Sequence, residues 1–89
     1  MLKFVTTKQF EKDYKKTLKS GKNKGKIVIV IQKLVNQEPL EAKYKDHKLK
    51  GEFAGRSECH LEPDLLLIYK LEKERIIFER IGSHSQLFK

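Results

Sequence analysis

The sequence predicts an α+β domain in which two N-terminal helices pack on a twisted, mainly antiparallel β-sheet, in the order β-α-α-β-β-β. Two observations carry this prediction. An amphipathic helical pattern occupies the first third of the chain, and short apolar runs separated by turn residues occupy the second half. The length of 89 residues leaves room for one domain only, so residues 1–89 are expected to fold as a single unit.

The first elements are a short strand and an amphipathic helix. Residues 2–6 alternate in part between apolar and polar side chains and end in β-branched residues, which is typical of a strand. Thr6 or Thr7 can cap a helix that runs to about Leu18, where a Ser-Gly pair provides the stop signal. The apolar face of this helix is formed by Phe10, Tyr14, Thr17 and Leu18, and lysines surround it.

Residues 26–36 carry two competing patterns. The run from Ile27 to Ile31 is β-branched throughout, which favours a strand. A helical stripe is also present, formed by Ile27, Ile31, Leu34 and Val35. The length of the segment and its amphipathic end favour a second helix, which ends near Pro39.

After Pro39 the pattern changes to extended segments. Residues 47–51 could form a strand edge, and strands are predicted at residues 56–61, 65–71 and 75–81, followed by a short C-terminal piece. The last strand alternates, so one side of the sheet receives Ile76, Phe78 and Arg80, and the other receives Ile77, Glu79 and Ile81. Because short turns join these strands, the sheet should be mainly antiparallel.

Composition excludes several classes of protein. The longest apolar run has five residues, far fewer than the ~18 that a membrane span needs, and the N-terminus lacks the apolar region of a signal peptide. The single cysteine, Cys59, excludes an internal disulfide framework and agrees with a reducing compartment. A cytoplasmic location without membrane association is therefore expected.

The charge is strongly basic and unevenly distributed. The net charge is +8, and residues 1–26 alone hold nine lysines and two acidic residues. Such a field attracts polyanions, so nucleic acid or an acidic protein is the expected partner. A role in solubility alone is the competing interpretation.

The polar residues of the second half suggest a site at one edge of the sheet. His47, His60 and His84 fall at strand ends, and Asp64 follows His60 across a turn, so that these two could be neighbours. Metal-ligand spacing is missing, and adjacent Cys59 and His60 would point to opposite faces of a strand, so neither a metal nor another cofactor is expected. Acid–base chemistry fits better, although ordinary surface histidines and a turn-forming aspartate remain the plain alternative.

Cations accompany these groups, namely Lys48, Lys50, Arg56 and Arg80. Metal-free RNA cleavage needs a base for the 2′-hydroxyl, an acid for the leaving 5′-oxygen and cations for the phosphorane, and these are the residue types present. Phe88 would either close the core or offer a stacking plane for a base.

Three segments carry a family resemblance: residues 46–51 (DHKLKG), 56–69 (RSECHLEPDLLLIY) and 79–88 (ERIGSHSQLF). Together they resemble the YafQ-like branch of the RelE/ParE toxin superfamily, and the order of the N-terminal elements agrees as well. The resemblance implies the toxin of a type II toxin–antitoxin pair, which cleaves mRNA on the ribosome and is inhibited when a small acidic antitoxin wraps it. The free toxin is expected to be a monomer and to form a hetero-oligomer with the antitoxin.

The resemblance also assigns site residues. The active-site positions fall on His47, His60, Asp64, His84 and Phe88. His60 and Asp64 would share the general-base and orienting roles, His84 would be the acid or a phosphate contact, and Phe88 would hold the mRNA base. Supporting or RNA-binding roles fall to Lys50, Arg56, Glu58 and Arg80.

One departure and two alternatives remain. Leu65 stands where several family members have an aromatic residue, which could weaken stacking on the substrate or shift codon preference. The ParE branch shares the fold but poisons gyrase and lacks this histidine set, so the histidines favour the ribonuclease branch. The alternatives are a gyrase-targeting toxin and a non-catalytic basic module that binds RNA, DNA or a protein.

Overall fold

The α+β prediction is confirmed by a computed structural model, which describes residues 2–88. The elements are β1 (Lys3–Thr6), α1 (Lys8–Lys19), α2 (Lys24–Val35), β2 (His47–Lys48), β3 (Ser57–Glu62), β4 (Leu65–Leu71), β5 (Arg75–Gly82) and α3 (His84–Leu87). Short 3-10 turns lie at Ala42–Tyr44 and Gly51–Phe53. No helix within residues 2–88 has the length and apolar character needed to cross a membrane.

The five strands form one mixed sheet in the order β1-β5-β4-β3-β2. Strands β2 to β5 are joined antiparallel, as hairpin turns require, while β1 lies parallel to β5. The first and last strands of the chain are therefore neighbours, and the helices that separate β1 from the other strands cover one face of the sheet.

Both long helices begin at residues whose side chains satisfy free backbone N–H groups. The Thr7 hydroxyl accepts a hydrogen bond from the Phe10 N–H at 2.9 Å, and the Asn23 side chain accepts one from the Lys26 N–H at 3.2 Å. The ambiguous segment from Ile27 to Ile31 is helical, as predicted, because the stripe that includes Ile27 and Leu34 packs on the sheet.

The sheet has two unlike faces. We call the face under α1 and α2 the helix-covered face. Its core contains Phe10, Ile27, Val30, Cys59, Leu61, Leu65, Leu67, Ile76, Phe78 and Ile81. On the opposite face, which we call the site face, a smaller cluster joins Leu66, Ile68 and Leu87 with partly buried Leu49, Phe53 and Phe88. Cys59 and His60 lie on opposite faces, as predicted, and burial raises the pKa of the Cys59 thiol to about 12.

A β-bulge in β5 changes the side to which the end of the strand points. Tyr69 pairs with Phe78 but Ile68 pairs with Arg80, so Glu79 is the extra residue. Ile81 therefore joins Phe78 in the helix-covered core, and the strict alternation predicted for this strand is wrong beyond Phe78. Thr7 holds the bulge, because its N–H donates to the Phe78 carbonyl at 3.2 Å and its hydroxyl donates to the Glu79 carbonyl at 2.9 Å.

Candidate active site

The structure brings the three histidines and Asp64 together at one end of the site face. His47 comes from β2, His60 from β3, Asp64 from the turn between β3 and β4, and His84 from the first position of α3. The ring centroids of His47 and His60 are 6.2 Å apart, and those of His60 and His84 are 5.8 Å apart. The predicted meeting of these groups at one sheet edge is therefore present in the fold.

Glu58 connects two of the histidines. Its Oε1 lies 3.2 Å from His60 Nε2 and 3.5 Å from His47 Nε2, and its side chain is only 7% exposed. The strand register explains the contacts, since Glu58 pairs with His47 across β2 and β3 and shares a strand face with His60. A buried carboxylate is costly without partners, and the two imidazole rings supply them.

The His47 ring faces two acceptors. Its Nδ1 lies 2.6 Å from the Lys45 carbonyl oxygen, and its Nε2 faces Glu58. Because a carbonyl oxygen only accepts, Nδ1 carries a hydrogen and donates to it. His60 differs, since its Nε2 faces Glu58 and its Nδ1 has no hydrogen bond within residues 2–88.

Asp64 pairs with His84. Its Oδ1 accepts hydrogen bonds from the His84 backbone N–H at 2.9 Å and from Nδ1 of the ring at 2.8 Å. Both hydrogen bonds hold the pKa of Asp64 below its ordinary value, and the bond from the backbone N–H has the larger effect. Because Nδ1 donates to a carboxylate, Nε2 of His84 points away from it and is free to meet a ligand. Ser83 fixes the start of α3 through a capping box with Gln86.

The pairing differs from the one expected across the β3–β4 turn. His60 lies within ion-pair distance of Glu58, and Asp64 is hydrogen-bonded to His84, so the expected direct partnership of His60 with Asp64 is replaced by two separate histidine–carboxylate pairs. The end of β5, rather than the turn, supplies the partner of Asp64, because Gly82 lies opposite Leu66 at the start of β4.

Phe88 extends the row of rings beyond His84. Its ring centroid lies 6.5 Å from that of His84 and 5.2 Å from that of Phe53, which it meets edge-on. The side chain packs against the small core of the site face yet remains partly exposed. Both roles considered for Phe88, closing a core and offering a ring to a ligand, are thus compatible with its position.

The three supporting cations occupy different surroundings. Arg56 forms an ion pair with Glu79, the bulge residue, and Lys50 is exposed. Arg80 lies on the site face by register, but its guanidinium is bound to Asp13 of α1, with Nε 2.7 Å and Nη2 3.3 Å from the carboxylate oxygens. Arg80 is therefore tied to helix α1 rather than to either histidine–carboxylate pair.

Asp13 also accepts the Ile81 N–H at 3.2 Å, on the part of β5 that extends beyond its pairing with β1. Burial opposes ionisation of this carboxyl, yet the bonds from Arg80, Gln9 and Ile81 outweigh burial and lower its pKa. Asp13 is not among the site residues predicted from the sequence, because nothing local marks an acidic residue on a lysine-rich helix as the partner of Arg80, 67 residues later.

A cleft of about 560 Å³ opens beside His60 and His84. Three lysines line it, Lys26 from α2 and Lys43 and Lys45 from the segment before β2, together with Tyr44, Leu61, Glu62 and Pro63. This cleft is not predictable from the sequence, because Lys26 is far along the chain from Lys43 and Lys45. Among residues 2–88, no group of three or more histidine, cysteine, aspartate or glutamate side chains is arranged to hold a metal ion.

The sequence of the chain matches a known protein family. Residues 2–89 match the family described as "Bacterial toxin of type II toxin-antitoxin system, YafQ". The mRNA interferase toxin YafQ of Escherichia coli strain K12 is 43% identical over 81 residues, which are 90% of this chain and 88% of that protein.

Solved structures agree with the sequence match. The crystal structure of YafQ from E. coli BL21(DE3) aligns with this protein over the full length of both chains, with a TM-score of 0.95 and 38% identity. YafQ in its complex with DinJ, a toxin–antitoxin pair of E. coli, matches over all of both chains with a TM-score of 0.93 and 39% identity. A metal-bound toxin from Helicobacter pylori matches 99% of this chain and 100% of its own, with a TM-score of 0.93 and 43% identity. On the family match and these identities over nearly the whole chain, the protein belongs to the YafQ family of toxins from type II toxin–antitoxin systems.

Proposed function

We propose that this toxin is an mRNA endoribonuclease that acts on ribosome-bound mRNA in the cytoplasm, without a metal, and inhibits translation until a cognate antitoxin with an acidic segment neutralises it. The supporting observation is the placement of two histidine–carboxylate pairs and a partly exposed phenylalanine on one face of a basic domain. The E. coli relative is an mRNA interferase toxin, and its structure with DinJ supports a protein antitoxin.

The proposed reaction is transfer of the phosphate to the 2′-oxygen. A base takes the proton of the 2′-hydroxyl, the 2′-oxygen bonds to phosphorus, and the 5′-oxygen leaves with a proton from an acid. The products are a 2′,3′-cyclic phosphate and a 5′-hydroxyl, so no water or redox partner is consumed. Base, acid and phosphorane-stabilising cation each correspond to a group at the site.

His60 is the proposed base. Its Nε2 lies 3.2 Å from the buried Glu58 carboxylate, which compensates the charge that the ring carries once its Nδ1 lone pair has accepted the 2′-hydroxyl proton. His47, whose nitrogens both face acceptors, supplies a positive charge close by for the phosphorane.

His84 is the proposed acid. Asp64 holds the Nδ1–H and stays ionised because its pKa is lowered, so the proton for the 5′-oxygen comes from Nε2. The pair is more than half exposed, which leaves room for a polymeric substrate to cover it. Phe88, next to His84, is placed to stack on a base that flanks the scissile bond.

The test is cleavage of a defined mRNA on purified ribosomes, mapped by primer extension in the presence of a chelator. Wild-type toxin should produce new 5′ ends only when ribosomes are present, and the purified antitoxin should abolish them. Cleavage that needs an added metal, or cleavage of naked mRNA at the same rate, would contradict those parts of the proposal. Growth arrest without any mRNA cleavage would point to gyrase or another target.

A further inference from the structure

We infer that the lysine-lined cleft beside His60 and His84 is a second nucleotide subsite, which binds the RNA phosphate and nucleotide on the side of the scissile bond away from Phe88. This inference rests on the proposed ribonuclease function and adds a binding site to it. The cleft has its own lining, which includes Lys26, Lys43 and Lys45 but neither Phe53 nor Phe88.

The position of the cleft suits a nucleotide next to the reacting phosphate. His60 and His84 form part of its wall, while the Phe88 ring approaches His84 from outside the cleft. The proposed base and acid therefore stand between two possible supports for RNA. The volume of about 560 Å³ lies within the ~300–1,000 Å³ that is typical of small-ligand sites.

The charge of the cleft suits a phosphate. Its three lysines are exposed, and Lys26 and Lys45 make no ion pair within residues 2–88. Lys43 has a weak partner in Glu41 at 3.8 Å, in a pair whose side chains are about two-thirds exposed. Lysine binds phosphate as a point charge on a flexible stem, so exposed lysines along one cleft can reach a phosphate bound there.

The remaining lining is compatible with an RNA ligand. The one carboxylate in the cleft, Glu62, is compensated by Lys22 at 3.1 Å, so it does not repel a phosphate as a free charge would. Pro63 is exposed on the lining and supplies apolar surface for a ribose or base. Interactions with a nucleotide outside the reacting bond align the 2′-hydroxyl with phosphorus, which is where such binding contributes to rate.

The test removes the negative charge of one RNA phosphate and, separately, the positive charges of the cleft lysines. Ribosome-bound mRNAs carry a neutral methylphosphonate at the phosphate before or after the scissile one, and single-turnover cleavage is measured against toxin concentration. The cleft variant is Lys26→Met combined with Lys43→Met, which keeps the aliphatic stems. Lys24→Met, in the same turn of α2 but outside the cleft lining, is the matched control.

We expect the methylphosphonate at one of the two positions to raise the half-saturating toxin concentration roughly tenfold for the wild type and for Lys24→Met, the effect of losing one charge-assisted contact. For the cleft variant, the methylphosphonate at that position should change the half-saturating concentration less than twofold. An equal response of the wild type and the cleft variant at both positions would overturn the inference. So would a cleft variant that cleaves normally but escapes the antitoxin, because the cleft would then bind protein. Wild-type toxin that fails to cut unmodified mRNA would instead overturn the proposed function itself.

Discussion

The two faces of the sheet use the same strands for different purposes. On the helix-covered face, Leu67, Ile76 and Phe78 are 0%, 0% and 1% exposed, and α1 and α2 seal them from water. On the site face, buried Leu66 and Ile68 are flanked by Glu58, His60 and the partly exposed Phe88. The helix-covered face therefore provides most of the apolar burial, while the site face has a core just large enough to fix the groups that carry the proposed chemistry.

Glu58 illustrates the difference between the faces. Among residues 2–88 it is one of two buried polar or charged side chains, the other being Thr17, whose hydroxyl donates to the Asp13 carbonyl of its own helix. Glu58 instead lies within ion-pair distance of His47 from β2 and His60 from β3, which are proposed to act on substrate. A buried polar group on the site face thus organises reactive side chains rather than a helix.

The largest expected effect is on the proposed chemistry of the site face. His60→Ala should lower mRNA cleavage by roughly 10²–10⁴-fold, because it removes the base. His60→Ala also removes one of the two partners of buried Glu58, but His47 remains beside it, so the thermal unfolding midpoint should fall modestly and stay above the assay temperature. Single-turnover cleavage and thermal melts on the same preparations provide the two measurements. If His60→Ala were already unfolded at the assay temperature, its loss of cleavage would be an effect on folding and would not support a role for His60 in the chemistry.

The matching change on the other face should act on stability instead. Phe78→Ala removes a 1%-exposed ring that packs against Phe10, at a centroid distance of 5.9 Å, and should lower the free energy of unfolding by about 3–5 kcal/mol. Urea titration followed by circular dichroism measures this. Leu71→Ala is the control on the same face, because Leu71 is 54% exposed and should change stability little. Equal losses for the two variants would contradict the assignment of the core.

Asp13 joins the two regions, so its substitution should have an intermediate effect. Asp13→Asn weakens the hold on Arg80 and on the Ile81 N–H, and the free energy of unfolding should fall by about 1–3 kcal/mol. Its pKa is lowered in the folded state, so the stabilisation is present above the pKa of the unfolded chain and is lost as the pH falls through the folded value. Urea titrations of wild type and variant should therefore converge at acid pH, and a constant difference would contradict this account.

The smallest effect concerns the exposed pair of Asp64 and His84. The two hydrogen bonds to Asp64 lower its pKa, so this carboxyl should titrate below its ordinary value of 3.8. Stability from this pair should be complete above that value and should disappear as the pH falls through the folded pKa. Titration of the Asp64 carboxyl carbon by NMR, with His84→Ala as the reference, measures the shift. A midpoint at or above 3.8 in the wild type would show that the pair does not form.

Much of the fold follows from local pattern, but the pairing of site residues does not. The length and amphipathic end of residues 26–36 favour α2 over a strand, and the alternation of β3 places Cys59 and His60 on opposite faces. The bulge at Glu79 was missed, because it depends on Thr7 binding two carbonyls of a strand far along the chain. Asp64 has its partner in His84 for the same reason, since the end of β5 is set by its register on β4.

The histidine–carboxylate pairs of the site face are proposed to cleave mRNA. The most direct test of this proposal is expression of the wild type and His84→Ala in a bacterial host, with growth followed and one mRNA mapped by primer extension. The account predicts growth arrest and new 5′ ends for the wild type, and neither for an equally abundant, folded His84→Ala protein. Cleavage at the same sites by His84→Ala at the wild-type rate, or arrest by the wild type without new 5′ ends, would contradict it.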